Sequence, residues 1–117
     1  MLQGHSFLRH VERCAALLLV IDLAAGAQGR PGARAAAQLR TLLAELAAYD
    51  ASLPSRPLLV VGTKLDLPGT ARALAGLRRS AAAAALPPPL GLSSVTGAGV
   101  EDVRAALLRL AQSVQQA

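Results

Sequence analysis

Apolar positions along the chain change period several times, and each change predicts an element. Phe7, Leu8, Val11 and Cys14 recur at helical spacing within Gly4 to Cys14, with Arg9, Glu12 and Arg13 on the opposite side. The run from Ala16 to Ile21 is continuously apolar and ends at Asp22. Such a run predicts a strand buried on both faces of a parallel sheet. Ala24 to Gly32 is rich in Gly and Ala, contains Pro31, and reads as a loop. Leu39, Leu42, Leu43, Leu46 and Tyr49 form a helical stripe within Arg34 to Tyr49. Asp50 to Pro57 is a connection, and Leu58 to Gly62 is a second short buried strand.

The second half repeats the alternation. Leu67-Pro68-Gly69-Thr70 breaks the chain and starts a third helix running toward Ser80. Ala81 to Ala85 is low in complexity, and Pro87-Pro88-Pro89 excludes helix or central strand. Leu90 to Ser93 suits a brief third strand that Gly91 weakens. After Gly97-Ala98-Gly99, a last helix carries Val100, Val103, Leu107, Leu110 and Val114 on one face. Glu101 and Asp102 suit its first turn. The order is helix, strand, helix, strand, helix, strand, helix. It predicts an α/β fold of three parallel strands with flanking helices and right-handed crossovers. A ligand of such a sheet sits at the carboxyl ends of its strands.

Composition narrows the chemistry. The 117 residues are 53% hydrophobic and 16% charged, which excludes ordinary polar disorder and suits one domain or a piece of one. Phe7 and Tyr49 are the only aromatic residues, so the core must be Leu, Val and Ala. Cys14 is alone, which excludes an intramolecular disulfide framework and a cysteine zinc site. His5 and His10 stand five apart, whereas a metal pair on one helix face needs three or four. No run is long enough to span a bilayer, and no signal or transit peptide is visible. The net charge is +5, almost all of the cations are Arg, and they are dispersed from Arg9 to Arg109. That excess fits RNA or ribosome association, phosphate ligands, or plain solubility. There is no basic run and almost no aromatic residue on which a base would stack.

Two loops carry candidate chemistry. Thr63-Lys64-Leu65-Asp66 directly follows the second strand. A carboxylate there accepts two parallel hydrogen bonds from N1 and N2 of guanine, a pair that adenine lacks. The Lys64 stem suits the face of a planar base while its ammonium stays solvated. The alternative is a polar turn after a strand. Ser93-Ser94-Val95-Thr96-Gly97-Ala98-Gly99 follows the third strand, and its small residues let peptide N–H groups approach a ligand oxygen. The Ser94 N–H suits guanine O6. The alternative is a Ser/Gly-rich loop with a helix cap. Neighbouring parallel strands would set the two loops side by side.

Thr63-Lys64-Leu65-Asp66 resembles the fourth guanine-specificity motif of the P-loop GTPases, usually Asn-Lys-x-Asp. Ser93-Ser94-Val95-Thr96-Gly97 resembles the fifth. Gly4 to Cys14 closely resembles the second-switch helix of the Obg-type GTPases, followed by a strand ending in Val-Asp, as Val20-Ile21-Asp22 does here. The resemblance covers essentially the whole chain and is nearest to the mitochondrial, ribosome-associated branch. It implies that residues 1–117 are the carboxyl-terminal part of an Obg-type G domain, from the second-switch helix through the last helix. It implies a guanine nucleotide, GTP or GDP, held by Thr63, Lys64, Asp66, Ser93, Ser94 and Val95. It also implies a role in ribosome assembly, a ribosomal particle or rRNA as partner, and a mitochondrial address, with the cytoplasm as the alternative.

The departures limit that reading. Thr63 replaces the usual Asn, as in Rho-type small GTPases, which removes one link to the phosphate loop. The Ala81 to Pro89 segment resembles an expansion. No Gly-x-x-x-x-Gly-Lys-Ser/Thr occurs in these residues, so catalysis is not expected of them alone, and Mg²⁺ would be held only through the missing half. Without the phosphate-loop strand beside it, Leu17 to Asp22 is expected to be an exposed apolar edge open to pairing with another chain. The alternative functions are a ribosome- or protein-binding fragment without nucleotide binding, and a poorly folded piece.

Overall fold

The structure, a computed structural model, describes residues 15–28 and 34–115. The expected opening helix, with Phe7, His5, His10 and Cys14, lies outside them. Three parallel strands form one sheet in the order β1-β2-β3. They are β1 (Leu17–Asp22), β2 (Leu58–Thr63) and β3 (Leu90–Gly91). Three helices alternate with them: α1 (Ala35–Tyr49), α2 (Thr70–Ala83) and α3 (Val100–Gln115). Short 3-10 turns cover Ala25–Gln28 and Leu53–Ser55. β1 pairs with β2 from Leu17 opposite Leu58 to Asp22 opposite Thr63. β2 pairs with β3 at Val61 with Leu90 and Gly62 with Gly91.

Strand alternation splits the core in two. Leu17, Leu19 and Ile21 of β1 and Leu58 and Val60 of β2 face one side. There they pack against Leu39 and Leu46 of α1 and Leu74, Leu77 and Ala81 of α2. Leu59 and Val61 face the other side and pack with Val103 of α3, supported by Leu90, Leu92 and Leu110. β2 is therefore buried on both faces.

β1 departs from the expectation. Leu18 is 47% exposed and Val20 55% exposed, so only its odd-numbered face is covered. The reason is position: α3 packs against β2 and β3, and no described element lies over the outer face of β1. Leu17 N–H donates to Pro57 and Leu23 N–H to Thr63, which directs the odd peptide groups at β2. By parallel pairing, the even ones, at Leu18, Val20 and Asp22, meet the free edge. Gln38 of α1 occupies the last of these: its Oε1 accepts from Asp22 N–H at 3.0 Å and its Nε2 donates to Asp22 O at 2.8 Å.

The low-complexity stretch divides into a helix end and a turn. Ala has the highest helix propensity, so α2 runs past Ser80 to Ala83. Leu86 N–H then bonds to Ala81 O and Ala85 N–H to Ala82 O, which is a Schellman ending with Ala85 in the left-handed region at φ +59°. The three prolines lead from this turn into β3, and Arg78 Nε ties them back to α2 by donating to Pro89 O at 3.1 Å. β3 is shorter than expected, but Leu92 N–H still donates to Gly62 O at 2.9 Å. That bond carries the alignment of β2 and β3 into the loops beyond them.

Candidate functional site

Both candidate loops leave the carboxyl ends of paired strands, and the β2–β3 pairing sets them side by side. Leu65 N–H donates to Leu92 O at 3.0 Å, which closes the gap between the chains after the strands end. The next contact is between side chains. Ser93 Oγ–H donates to Asp66 Oδ1 at 2.7 Å. Ser93 is fully buried, whereas Asp66 is exposed. No described residue donates to the other Asp66 oxygen, so that carboxylate keeps free acceptor capacity.

The Ser93 oxygen also organises its own loop. It accepts from Val95 N–H at 3.2 Å and Thr96 N–H at 3.1 Å. Ser93 N–H donates to Ala98 O, and Gly97 N–H donates to Ser93 O, both at 2.9 Å. Ser94 is exposed at the outer side of this turn, and its N–H meets no described acceptor. The Val95 side chain is 81% exposed. Gly99, at φ +76°, ends the loop against β3: any Cβ there would collide with the carbonyl of Gly91. Glycine is thus needed for the loop to fold back on its own strand.

Thr63 and Lys64 turn toward β1 instead. Thr63 Oγ1 donates to Ile21 O at 3.3 Å. Lys64 has φ +67°, a left-handed conformation that costs energy in a residue with a Cβ. Its Nζ pairs with Asp22 Oδ2 at 2.8 Å. Asp22 Oδ1 accepts from Ala24 N–H at 2.9 Å. The Lys64 hydrogen bond, more than any other influence, holds the Asp22 carboxyl below its ordinary value, and the Ala24 peptide adds to it. The ammonium expected to be solvated therefore bridges the ends of β1 and β2, with both partners still partly in water.

All six expected residues stand at one end of the sheet. The structure joins Asp66 with Ser93 directly, puts Ser94 and Val95 on the same turn, and draws Thr63 and Lys64 to the β1 side. One participant and one partnership escape sequence reasoning. Gln38 holds Asp22 from a helix position with no local signature, and Asp22 is recognisable as the Lys64 partner only through the β1–β2 register.

Three parallel strands with helices on both faces define an α/β class of fold, with the Ser93–Asp66 pair joining two of its strand-end loops. The chain is homologous over most of its length to the Obg GTPases. It is 41% identical over 99 residues to the GTPase Obg of Anaeromyxobacter sp. (strain K), covering 84% of this chain and 27% of that protein. It is 39% identical over 112 residues to the GTPase Obg of Desulforudis audaxviator, covering 95% and 25%. It is 38% identical over 104 residues to the probable mitochondrial GTP-binding protein OBGM of Oryza sativa subsp. japonica, covering 89% and 19%. The chain thus spans about a fifth to a quarter of the length of these relatives. No family model matches it. Among the described residues, no helix is long and apolar enough to cross a membrane.

Proposed function

We propose that residues 1–117 form the carboxyl-terminal part of an Obg-type G domain and carry the guanine-recognition half of its nucleotide site. Asp66 accepts from guanine N1 and N2, the Ser94 N–H meets O6, and the Lys64 stem covers the base. Thr63, Ser93 and Val95 complete the set by shaping the two loops. The observation that carries this reading is the 2.7 Å bond from Ser93 to Asp66. It orients the carboxylate through one lone pair of Oδ1 and leaves the second lone pair of Oδ1 and the whole of Oδ2 to accept from N1 and N2. It also links two loops far apart in sequence that each resemble a guanine motif. The relatives' names support a guanine nucleotide, since they are a GTPase and a GTP-binding protein.

GTP and GDP are the proposed ligands. Their phosphates carry most of the charge, and the phosphate-binding motif is not in these residues. Binding by the base alone is on the order of millimolar or weaker. Among the described residues no group of three or more His, Cys, Asp or Glu is placed to hold a metal ion. Mg²⁺ would be held only through the phosphate-loop half of the domain, and no hydrolytic step is assigned to these residues. The same resemblance carries a ribosome-associated role and a mitochondrial address, the latter matching the names of the plant relatives.

Titration with GDP and, as control, ADP, read by two-dimensional amide NMR, tests the proposal. GDP alone should shift the peaks of Thr63 to Asp66 and Ser93 to Val95. Dispersed peaks that ignore GDP would favour the second reading, a protein- or ribosome-binding piece without nucleotide, which the exposed Leu18 and Val20 support.

A further inference from the structure

Lys64 is the only lysine of the chain, and the other cationic residues are all Arg. It stands on a turn that is pulled in two directions. Asp66 is tied to the β3 side by Ser93 at 2.7 Å, whereas the Lys64 ammonium is tied to the β1 side by Asp22 at 2.8 Å. Leu65 between them packs against the core. The two charged side chains therefore leave one turn toward opposite neighbours, with the end of β2 between them.

Both ends of the Lys64–Asp22 link are fixed. Gln38 of α1 bonds the peptide N–H and the carbonyl of Asp22, at 3.0 and 2.8 Å. Asp22 Oδ1 accepts from Ala24 N–H at 2.9 Å, and Oδ2 faces Lys64. A guanidinium fork is best matched by a carboxylate with both oxygens open, whereas an ammonium needs only one, which favours Lys over Arg here. At the other end, Leu67 N–H donates to Lys64 O and Leu65 N–H to Leu92 O, both at 3.0 Å, and Lys64 is held at φ +67°. Backbone strain of this kind persists where the surroundings over-determine it, and such places cluster at ligand sites. An exposed ion pair adds little to stability, so these contacts matter more for where the lysine stem lies than for folding.

We propose that Asp22, held by Gln38, is a positioning residue for the nucleotide: by pinning the Lys64 ammonium it stretches the lysine stem into a fixed apolar strip on which the face of the base rests. This rests on the guanine reading of the site and adds to it what places the stem. A free lysine stem samples many rotamers, and a base settling on it would have to freeze them. A stem held at both ends has lost that freedom beforehand, so less is lost on binding. Asp22 touches no ligand in this arrangement and acts through Lys64.

Asp22→Asn tests this, because the amide oxygen keeps the Ala24 bond while the amide NH2 offers the ammonium no acceptor. GDP titration of the full chain, followed by amide NMR, should show binding weakened about two- to fivefold, the range measured for exposed ion pairs. Simple charge attraction predicts the reverse, since removing a carboxylate favours an anionic ligand. In a Lys64→Met background the same change should alter affinity less than about 1.5-fold, because the coupling runs through the lysine. A cost that persists there would overturn the proposal. The preference for GDP over xanthosine diphosphate should stay the same in Asp22→Asn, since Asp66 is untouched, and a changed preference would mean that the loops themselves had moved. The single lysine gives one set of stem signals. Extrapolated to saturation, the ring current of the base should move them upfield in the wild type and less in Asp22→Asn, and equal shifts would overturn the role of Asp22. Should Asp22→Asn lose its dispersed amide peaks, Gln38→Ala, which leaves both charges in place, must weaken GDP binding in the same direction and only while Lys64 is present. GDP that shifts no wild-type peak would remove the base site itself and this role with it. GDP bound equally by the wild type and Asp22→Asn would remove the role of Asp22 alone.

Discussion

Ser93 and Asp66 are 27 residues apart in sequence and joined by a 2.7 Å hydrogen bond between their side chains. The serine is buried and the aspartate exposed, so the bond anchors a solvent-facing carboxylate to the interior. It also makes one oxygen atom the meeting point of both loops, since the same hydroxyl accepts from Val95 and Thr96.

Ser93→Ala removes that meeting point and leaves two peptide N–H groups without their acceptor. Stability should fall by about 0.5–1.5 kcal/mol, the net worth of a hydrogen bond whose remaining partners can turn to water. Urea denaturation measures it. A change under about 0.5 kcal/mol would mean that the loops are held together by the Leu65–Leu92 and Gly62–Leu92 backbone bonds alone.

Asp66→Asn tests the role of the carboxylate. An amide donates to a C2 carbonyl, so xanthosine diphosphate should gain relative to GDP. Competition between the two nucleotides, followed by amide NMR, reads the ratio. An unchanged preference for GDP would remove Asp66 from the base site.

The Asp22–Lys64 pair makes stability depend on acid. The folded-state carboxyl is held below its ordinary value of 3.8, so its contribution is present above that pH and lost as pH falls through the folded value. Both side chains are more than a third exposed, at 36% and 53%, which limits the effect to about 0.2–1 kcal/mol. Urea midpoints at pH 6 and pH 2.5 should differ more in the wild type than in Asp22→Asn. A larger acid loss in the variant would reverse the sign and refute the linkage.

Ala85 occupies the left-handed position of the Schellman turn that ends α2, at φ +59°. Glycine carries no Cβ penalty there. Ala85→Gly should raise stability by about 1 kcal/mol despite the greater freedom of the unfolded chain. Thermal melting checks it, and a lowered midpoint would show that the turn is not held as described.

Leu18 and Val20 expose their side chains, and among the described residues no strand pairs with the outer edge of β1. Edges of this kind recruit other strands. Leu18→Lys should lower concentration-dependent light scattering while changing the urea midpoint little. Scattering that persists would locate self-association elsewhere.

Much of the fold was legible in the chain because periodicity is local. The stripe Leu39, Leu42, Leu43, Leu46, Tyr49 announced α1, and the run Leu58 to Gly62 announced a second buried strand. The same logic misread the outer face of β1. An apolar run states that burial is favourable, not that a neighbour is there to provide it. The alanine run reads as low complexity in the sequence, while in the fold the propensity of Ala extends α2 until Ala85 turns the chain.

The candidate site divides in the same way. Sequence by itself determined which residues stand at the strand ends, because turn residues after apolar runs mark those ends. It determined the spacing of Lys64 and Asp66 and the small residues of the 93–99 loop. Only the tertiary structure decided which groups meet: Asp66 with Ser93, Lys64 with Asp22, and Gln38 with Asp22. These contacts join positions far apart in the chain, and their geometry comes from strand register and helix packing, which are properties of the assembled sheet and of no single segment.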